Sequence, residues 1–242
     1  MSKFPPIPFH SKAEILHEDD RFIIVNKPAG ILSHPNTKDE IHESIVLTEY
    51  DTKYECYRIG TWKFFLLHRI DKETSGCLLF TKDPDSVKKV KADFENHAVH
   101  KEYTALLAGT VRKPTVWKDH LIKTPGKVII DQRLKPNAMT KIKSVEVFSK
   151  DRITLVTFVP QTGKTHQLRV QSKGHHAPIL GDRQYGDFPR NKIAKEKLGL
   201  NRMMLHATQI AFNDPITKKN IRVTCPIPKD FEEIISKLRE KN

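Results

Sequence analysis

The chain has 242 residues, enough for one large domain or two small ones, and its 38% hydrophobic content suffices for a buried core, which argues against a disordered or fibrous chain. Forty-two Lys and Arg against 29 Asp and Glu give a formal charge of +13, which points to a polyanionic partner, nucleic acid ahead of an acidic membrane surface, because clustered cations release the counterions condensed on phosphates. No apolar run approaches the ~20 residues of a spanning helix, the N-terminal MSKFPPIPFH has no apolar signal core, and Cys56, Cys77 and Cys225 are odd in number and far apart, so no membrane span, disulfide framework or structural zinc site is indicated and a soluble cytoplasmic protein is expected.

Residues 1–12, with Pro5, Pro6 and Pro8, read as an extended arm, and the absence of any later linker assigns residues 13–242 to one domain. Short strands are expected over residues 14–16 and 22–25, either side of Glu18-Asp19-Asp20, with Asn26-Lys27-Pro28-Ala29-Gly30 turning out of the second. The apolar runs at residues 64–67 and 77–81 suit buried strands, which leaves residues 68–76 as a loop between two of them. Asp83-Pro84 opens a helix to about residue 97, with Val87, Val90 and Phe94 on one face. Strands follow at residues 103–111, 143–148 and 153–159. Residues 112–140 read as an irregular basic excursion, either a solvated surface or a stretch that tracks an RNA backbone. A short helix over residues 165–172 stops at Lys173-Gly174, residues 222–224 close the sheet, and Phe231, Ile234, Ile235 and Leu238 mark a terminal amphipathic helix. Strands outnumber helices and do not alternate with them, so the class is α+β with a largely antiparallel sheet.

Several familiar sites fail on inspection. Gly163-Lys164-Thr165 lacks the glycine five residues earlier that a phosphate-binding loop needs, since position 158 is Phe158. The histidines include no HExxH pair, and His97/His100 and His175-His176 have no companion ligand motif, so no metal is expected. Ser75 is not in a GxSxG elbow. The stretch FFLLHRIDKETSGCLLF remains, with Asp71 set between two apolar runs. A carboxylate at a core edge costs several kcal/mol, on the order of its desolvation, unless paired. Arg69 lies two residues away, on the same side of an extended segment, so a structural ion pair and a catalytic carboxylate are both open. A hydrolase using Asp71 and Glu73 is a further alternative.

HRIDKETSG around Asp71 resembles the HRLDxxTSG signature of the RluA-type RNA pseudouridine synthases, with Ile70 in place of leucine. FIIVNKPAGILSH (residues 22–34) resembles that family's first motif, KEYTAL (101–106) its lysine-x-tyrosine motif, and TGKTHQLRVQSKGHHAPILGD (162–182) the motif usually seen as TGRTHQIRVHxxxxGHPxxGD. Leu205-His206-Ala207 and Phe212-Asn213-Asp214-Pro215 resemble its closing elements. The five motifs run in order from about Ile15 to Phe231. Lys164 stands where the family usually has arginine, keeping the charge but losing the bidentate fork, and QSKGHHA departs from the common histidine-rich segment.

The resemblance implies the pseudouridine synthase fold around a catalytic cleft, and isomerisation of a uridine in structured tRNA or rRNA without metal, nucleotide or redox cofactor. It makes Asp71 the nucleophile, Arg169 the cation that keeps it ionised, and Tyr103 the group that stacks on the target ring and moves the C5 proton. Leu168 would cover the other ring face, and Arg69 would enter the space left by the flipped base. His68 and Thr74 would orient the loop, Lys27 would support the pocket or a phosphate, and Lys164 would contact RNA. Many relatives carry a small helical RNA-binding domain before the catalytic one, which the 14 residues before Ile15 cannot hold, so recognition is expected from the catalytic domain of a monomer. A non-catalytic RNA-binding or chaperone protein on the same fold is the alternative.

Overall fold

A computed structural model describes residues 4–241. They gather into two compact units, the first taking the chain through His100 and then Gln209–Cys225, the second Lys101–Thr208 and Pro226 onward.

In the first unit β1 (Glu14–Glu18) and β2 (Phe22–Lys27) form a hairpin, followed by β3 (Tyr50–Asp51), β4 (Cys56–Ile59), β5 (Trp62–Leu66), β6 (Ser75–Thr81) and helix α1 (Pro84–Glu95). The strands lie in the order β1-β2-β6-β5-β4-β3, each pair antiparallel. All seven residues of β6 are buried, as a strand covered on both faces requires, and Phe22–Val25 of β2 are equally buried. Asp83 caps α1 by accepting from the Asp85 N–H, with Pro84 in the first turn, and Val90 carries the helix onto Phe22, Ile24, Leu79, Ile210 and Phe212. The amino-terminal stretch is extended and docked, since His10 N donates to Ile45 O (2.9 Å) and Phe9 meets Phe64 edge-on; residues 1–3 of the expected arm lie outside the described residues.

The second unit contains β7 (His100–Leu107), β8 (Val116–Asp119), β9 (Leu121–Thr124), β10 (Lys127–Ile130), β11 (Ala138–Phe148), β12 (Ile153–Pro160), α2 (Gln167–Gly174) and α3 (Phe188–Leu198). Its sheet runs β7-β12-β11-β8, antiparallel throughout, and β9-β10 is a separate hairpin. β13 (Leu205–Asn213) starts in this unit and ends in the first, where it pairs with β14 (Asn220–Thr224), and α4 (Lys229–Lys241) closes the chain. Phe231, Ile234, Ile235 and Leu238 of α4 pack with Ala194 and Leu198 of α3 on Leu106, Phe148 and Ile153.

The α+β, largely antiparallel architecture is as the sequence implies, but several elements differ, and β3, β4 and β13 have no counterpart among the expected strands. Residues 112–140 hold three strands, β8 to β10, with Trp117, Leu121 and Val128 buried; exposed Val116 and Ile129 share the outward positions with Lys118, Lys123 and Lys127, which masks the alternation. Helix α2 starts two residues later than expected, because His166 adopts left-handed backbone (φ 54°) and cannot extend it. Helix α3 escaped notice because only Ala194 and Leu198 are buried, so the sequence carries no apolar stripe.

Candidate active site

The loop between β5 and β6 carries Asp71, itself half-buried, and polar side chains from elsewhere in the first unit hold it at both flanks. Upstream, buried Ser33 Oγ donates to Ile70 O (2.8 Å) and accepts from Ile70 N (3.2 Å). Ser33 is fixed in turn by the Tyr57 hydroxyl, which donates to its carbonyl (2.6 Å) and lies 2.8 Å from Ser44 Oγ. Downstream, the Lys27 ammonium donates to Lys72 O (3.0 Å), Pro28 O (2.9 Å) and Ile31 O (2.6 Å). Gly30 N, in a left-handed turn at φ 84°, donates to the same Lys72 carbonyl (2.8 Å), and Thr74 N closes a turn on Asp71 O (3.0 Å). These hydrogen bonds hold the backbone on both sides of Asp71.

Lys27 has no exposed surface, and its ammonium is turned onto the loop carbonyls. Thr74, 2% exposed, is likewise inside the loop. His68 Nε2 accepts from Leu79 N (3.1 Å) and the ring stacks on Phe94, centroids 5.0 Å apart, which ties the start of the loop to β6 and α1. Arg69 is exposed and lines a cavity of about 230 Å³ in this unit.

In the second unit Tyr103 on β7 stands opposite Phe158 on β12 and packs against the apolar cluster that contains Leu168, so the two residues expected to hold the target ring share one cluster. Arg169 forks onto Asp182, Nε to Oδ2 at 2.7 Å and an Nη to Oδ1 at 3.0 Å, and lies over the Tyr185 ring at 5.1 Å. Burial of Asp182 would raise its pKa, but the Arg169 fork and the N–H groups of Gln184 and Tyr185 outweigh it and hold the carboxyl below its ordinary value. Asp182 belongs to the LGD at the end of the long motif, the signal that could have found it. Lys164 is exposed on a loop organised by Gln167, whose Oε1 accepts from Thr162 Oγ1 (2.7 Å) and Lys164 N (3.0 Å) while its Nε2 donates to Thr140 Oγ1 (2.9 Å). Ser33, Tyr57 and Gln167 were not singled out from sequence, since nothing local distinguishes them from surface polar residues. No group of three His, Cys, Asp or Glu able to hold a metal occurs among the described residues.

The model of the family described as RNA pseudouridylate synthase matches residues 21–173. This chain belongs to that family. The match spans Lys27, the Asp71 loop, Tyr103, Leu168 and Arg169. Similar curated proteins include the tRNA pseudouridine synthase C of Pasteurella multocida, 34% identical over 92% of this chain and 95% of its own, and the ribosomal large subunit pseudouridine synthase C of Buchnera aphidicola, 34% identical over 93% of this chain and 70% of its own. Among solved structures, human RNA pseudouridylate synthase domain containing 4 superposes with a TM-score of 0.69 at 25% identity, covering 93% of this chain and 92% of that one. The chain is therefore an isomerase, an RNA pseudouridine synthase.

Proposed function

We propose that this synthase converts a particular uridine of a structured tRNA or rRNA to pseudouridine, with Asp71 as nucleophile. The observation that carries the proposal is the two-sided fixation of the Asp71 loop backbone by Ser33 and Lys27, in a stretch that resembles the family's signature motif. The reaction breaks the C1′–N1 bond, rotates the uracil and joins C1′ to C5; the hydrogen on C5 is lost and N1 gains one, so no water or redox partner enters. One carboxylate attacking C1′ or C6 suffices. The target base must leave its stack to be reached, and exposed Arg69 is placed to take the vacated space. Tyr103 and Leu168 hold the ring, Tyr103 moves the C5 proton, and Arg169 supplies the permanent cation that favours ionised carboxylates. Residues 13–242 act together as one catalytic domain in the cytoplasm. The correspondence with tRNA enzymes over some 95% of their length makes tRNA the first substrate to try.

The test is Asp71→Asn and Asp71→Ala, assayed on unmodified tRNA and large-subunit rRNA by carbodiimide mapping of pseudouridine. Both variants should bind RNA and form no product. Product at the wild-type level would remove Asp71 from the chemistry, and release of free uracil by the wild type would favour a hydrolase instead.

A further inference from the structure

The cavity beside Arg69 lies wholly in the first unit, and its walls are unusual for a basic protein surface. His34 and Tyr50 stack on one another, centroids 4.6 Å apart and 13° from parallel, on one wall. The His68–Phe94 pair stands on another, Leu66 and Leu67 are also in the lining, and Arg69, Lys91, Glu55 and Glu95 supply charge, two of each sign. Glu55 and Lys91 are ion-paired, and Glu95 offsets Arg69 in formal charge, so the lining is balanced overall. Burial and the nearby Arg69 charge hold the His34 imidazole below its ordinary pKa against the opposing bond to Pro35 O, so the ring is neutral at physiological pH. The volume of about 230 Å³ is below the roughly 300 Å³ at which pockets begin to engulf a whole drug-sized ligand, and it suits one flat heterocycle.

We infer that this cavity receives an unpaired nucleobase of the RNA substrate, a neighbour of the target uridine, stacked among His34, Tyr50 and Phe94. The occupant follows from the lining and the charge of the chain: aromatic faces bind any base, and a net charge of +13 favours a base carried on RNA over a free heterocycle. The location follows from the chain, since Arg69 is two residues from Asp71 and both sit on the same clamped loop. The inference rests on the proposed function, which supplies RNA as substrate, and adds a second base-binding site that the chemistry itself does not require.

The experiment irradiates wild-type enzyme with unmodified tRNA at 254 nm and maps the cross-linked peptides by mass spectrometry. Nucleotide adducts are expected on peptides carrying His34, Tyr50 or Phe94, at a base other than the converted uridine. In parallel, the Kd for the same tRNA is measured by filter binding for His34→Ala and His34→Phe. Loss of a stacking contact raises Kd by roughly 5- to 150-fold in the alanine variant, and the phenylalanine variant stays close to wild type because the flat face is restored. If the wild type forms pseudouridine but shows no adduct in this pocket, or if His34→Ala binds as tightly as wild type, this inference alone is overturned. If the wild type forms no pseudouridine on tRNA or rRNA, the proposed function fails and takes the inference with it.

Discussion

Lys27 shows at the scale of one residue how a motif position can be legible while its role is not. An ammonium without exposed surface is tolerated only when its three donors are used, and the carbonyls of Pro28, Ile31 and Lys72 use all three. Lys27→Met strands the carbonyls of Pro28 and Ile31, each at about 1–3 kcal/mol where it stays dry, and leaves Lys72 O with the Gly30 N–H, so the urea midpoint should drop and turnover should fall with it as the Asp71 loop loosens. Lys27→Arg should not restore either property, because a planar fork cannot address three carbonyls around a point charge. Asp182 supplies a pH test. Its folded pKa lies below its unfolded value near 3.9, so its stabilisation is fully present above that value and is lost as the pH falls through the folded pKa. The gap in urea midpoint between wild type and Asp182→Asn should therefore be large at neutral pH and shrink on acidification from about pH 4 downward; a gap constant to acid would show that Asp182 does not work through its charge. The sequence reading reached Asp71 and Arg169 through their motifs. It missed Asp182 as the partner of Arg169, because a partner 13 positions away is fixed by the turn after α2, not by local spacing.

At the scale of elements, the strands and helices with strong local signals were readable. Helix α1 has Asp83, Pro84 and one apolar face in sequence, and all three operate in the structure; Asp83→Ala should lower stability by about 1 kcal/mol, visible as a small loss in melting temperature. The β8–β10 region reads as irregular in sequence because its strands are only four residues long and carry apolar residues on both faces, as Val128-Ile129-Ile130 does, so no clean two-residue period appears. Gln167 joins the Thr162–Lys164 loop to β11 through Thr140. Gln167→Leu should accelerate amide hydrogen exchange at Lys164 and Met139 while leaving α4 unchanged; protection equal to wild type would mean the loop is held by other contacts. Gly181 marks another tertiary requirement, with φ 78° and a backbone so close to Arg202 O that an added Cβ would sit 2.0 Å from it, so Gly181→Ala should fold poorly.

For the whole molecule, the charge of +13 predicts that binding to tRNA or rRNA weakens linearly on logarithmic axes as salt rises, with a slope set by the number of phosphates contacted; a flat dependence would exclude a backbone-tracking surface. That partner class, the α+β architecture and the motif around Asp71 were legible in the sequence alone, because each depends on composition, on a two- or 3.6-residue period, or on an unbroken motif. Only the tertiary structure decided that Ser33, Tyr57 and Lys27 clamp that loop, that Asp182 engages Arg169, and that His34, Tyr50 and Phe94 surround a cavity beside Arg69. These contacts join residues tens of positions apart, and a hydrogen bond between distant polar groups leaves no periodicity in the chain; it exists once strand register has brought the two backbones together.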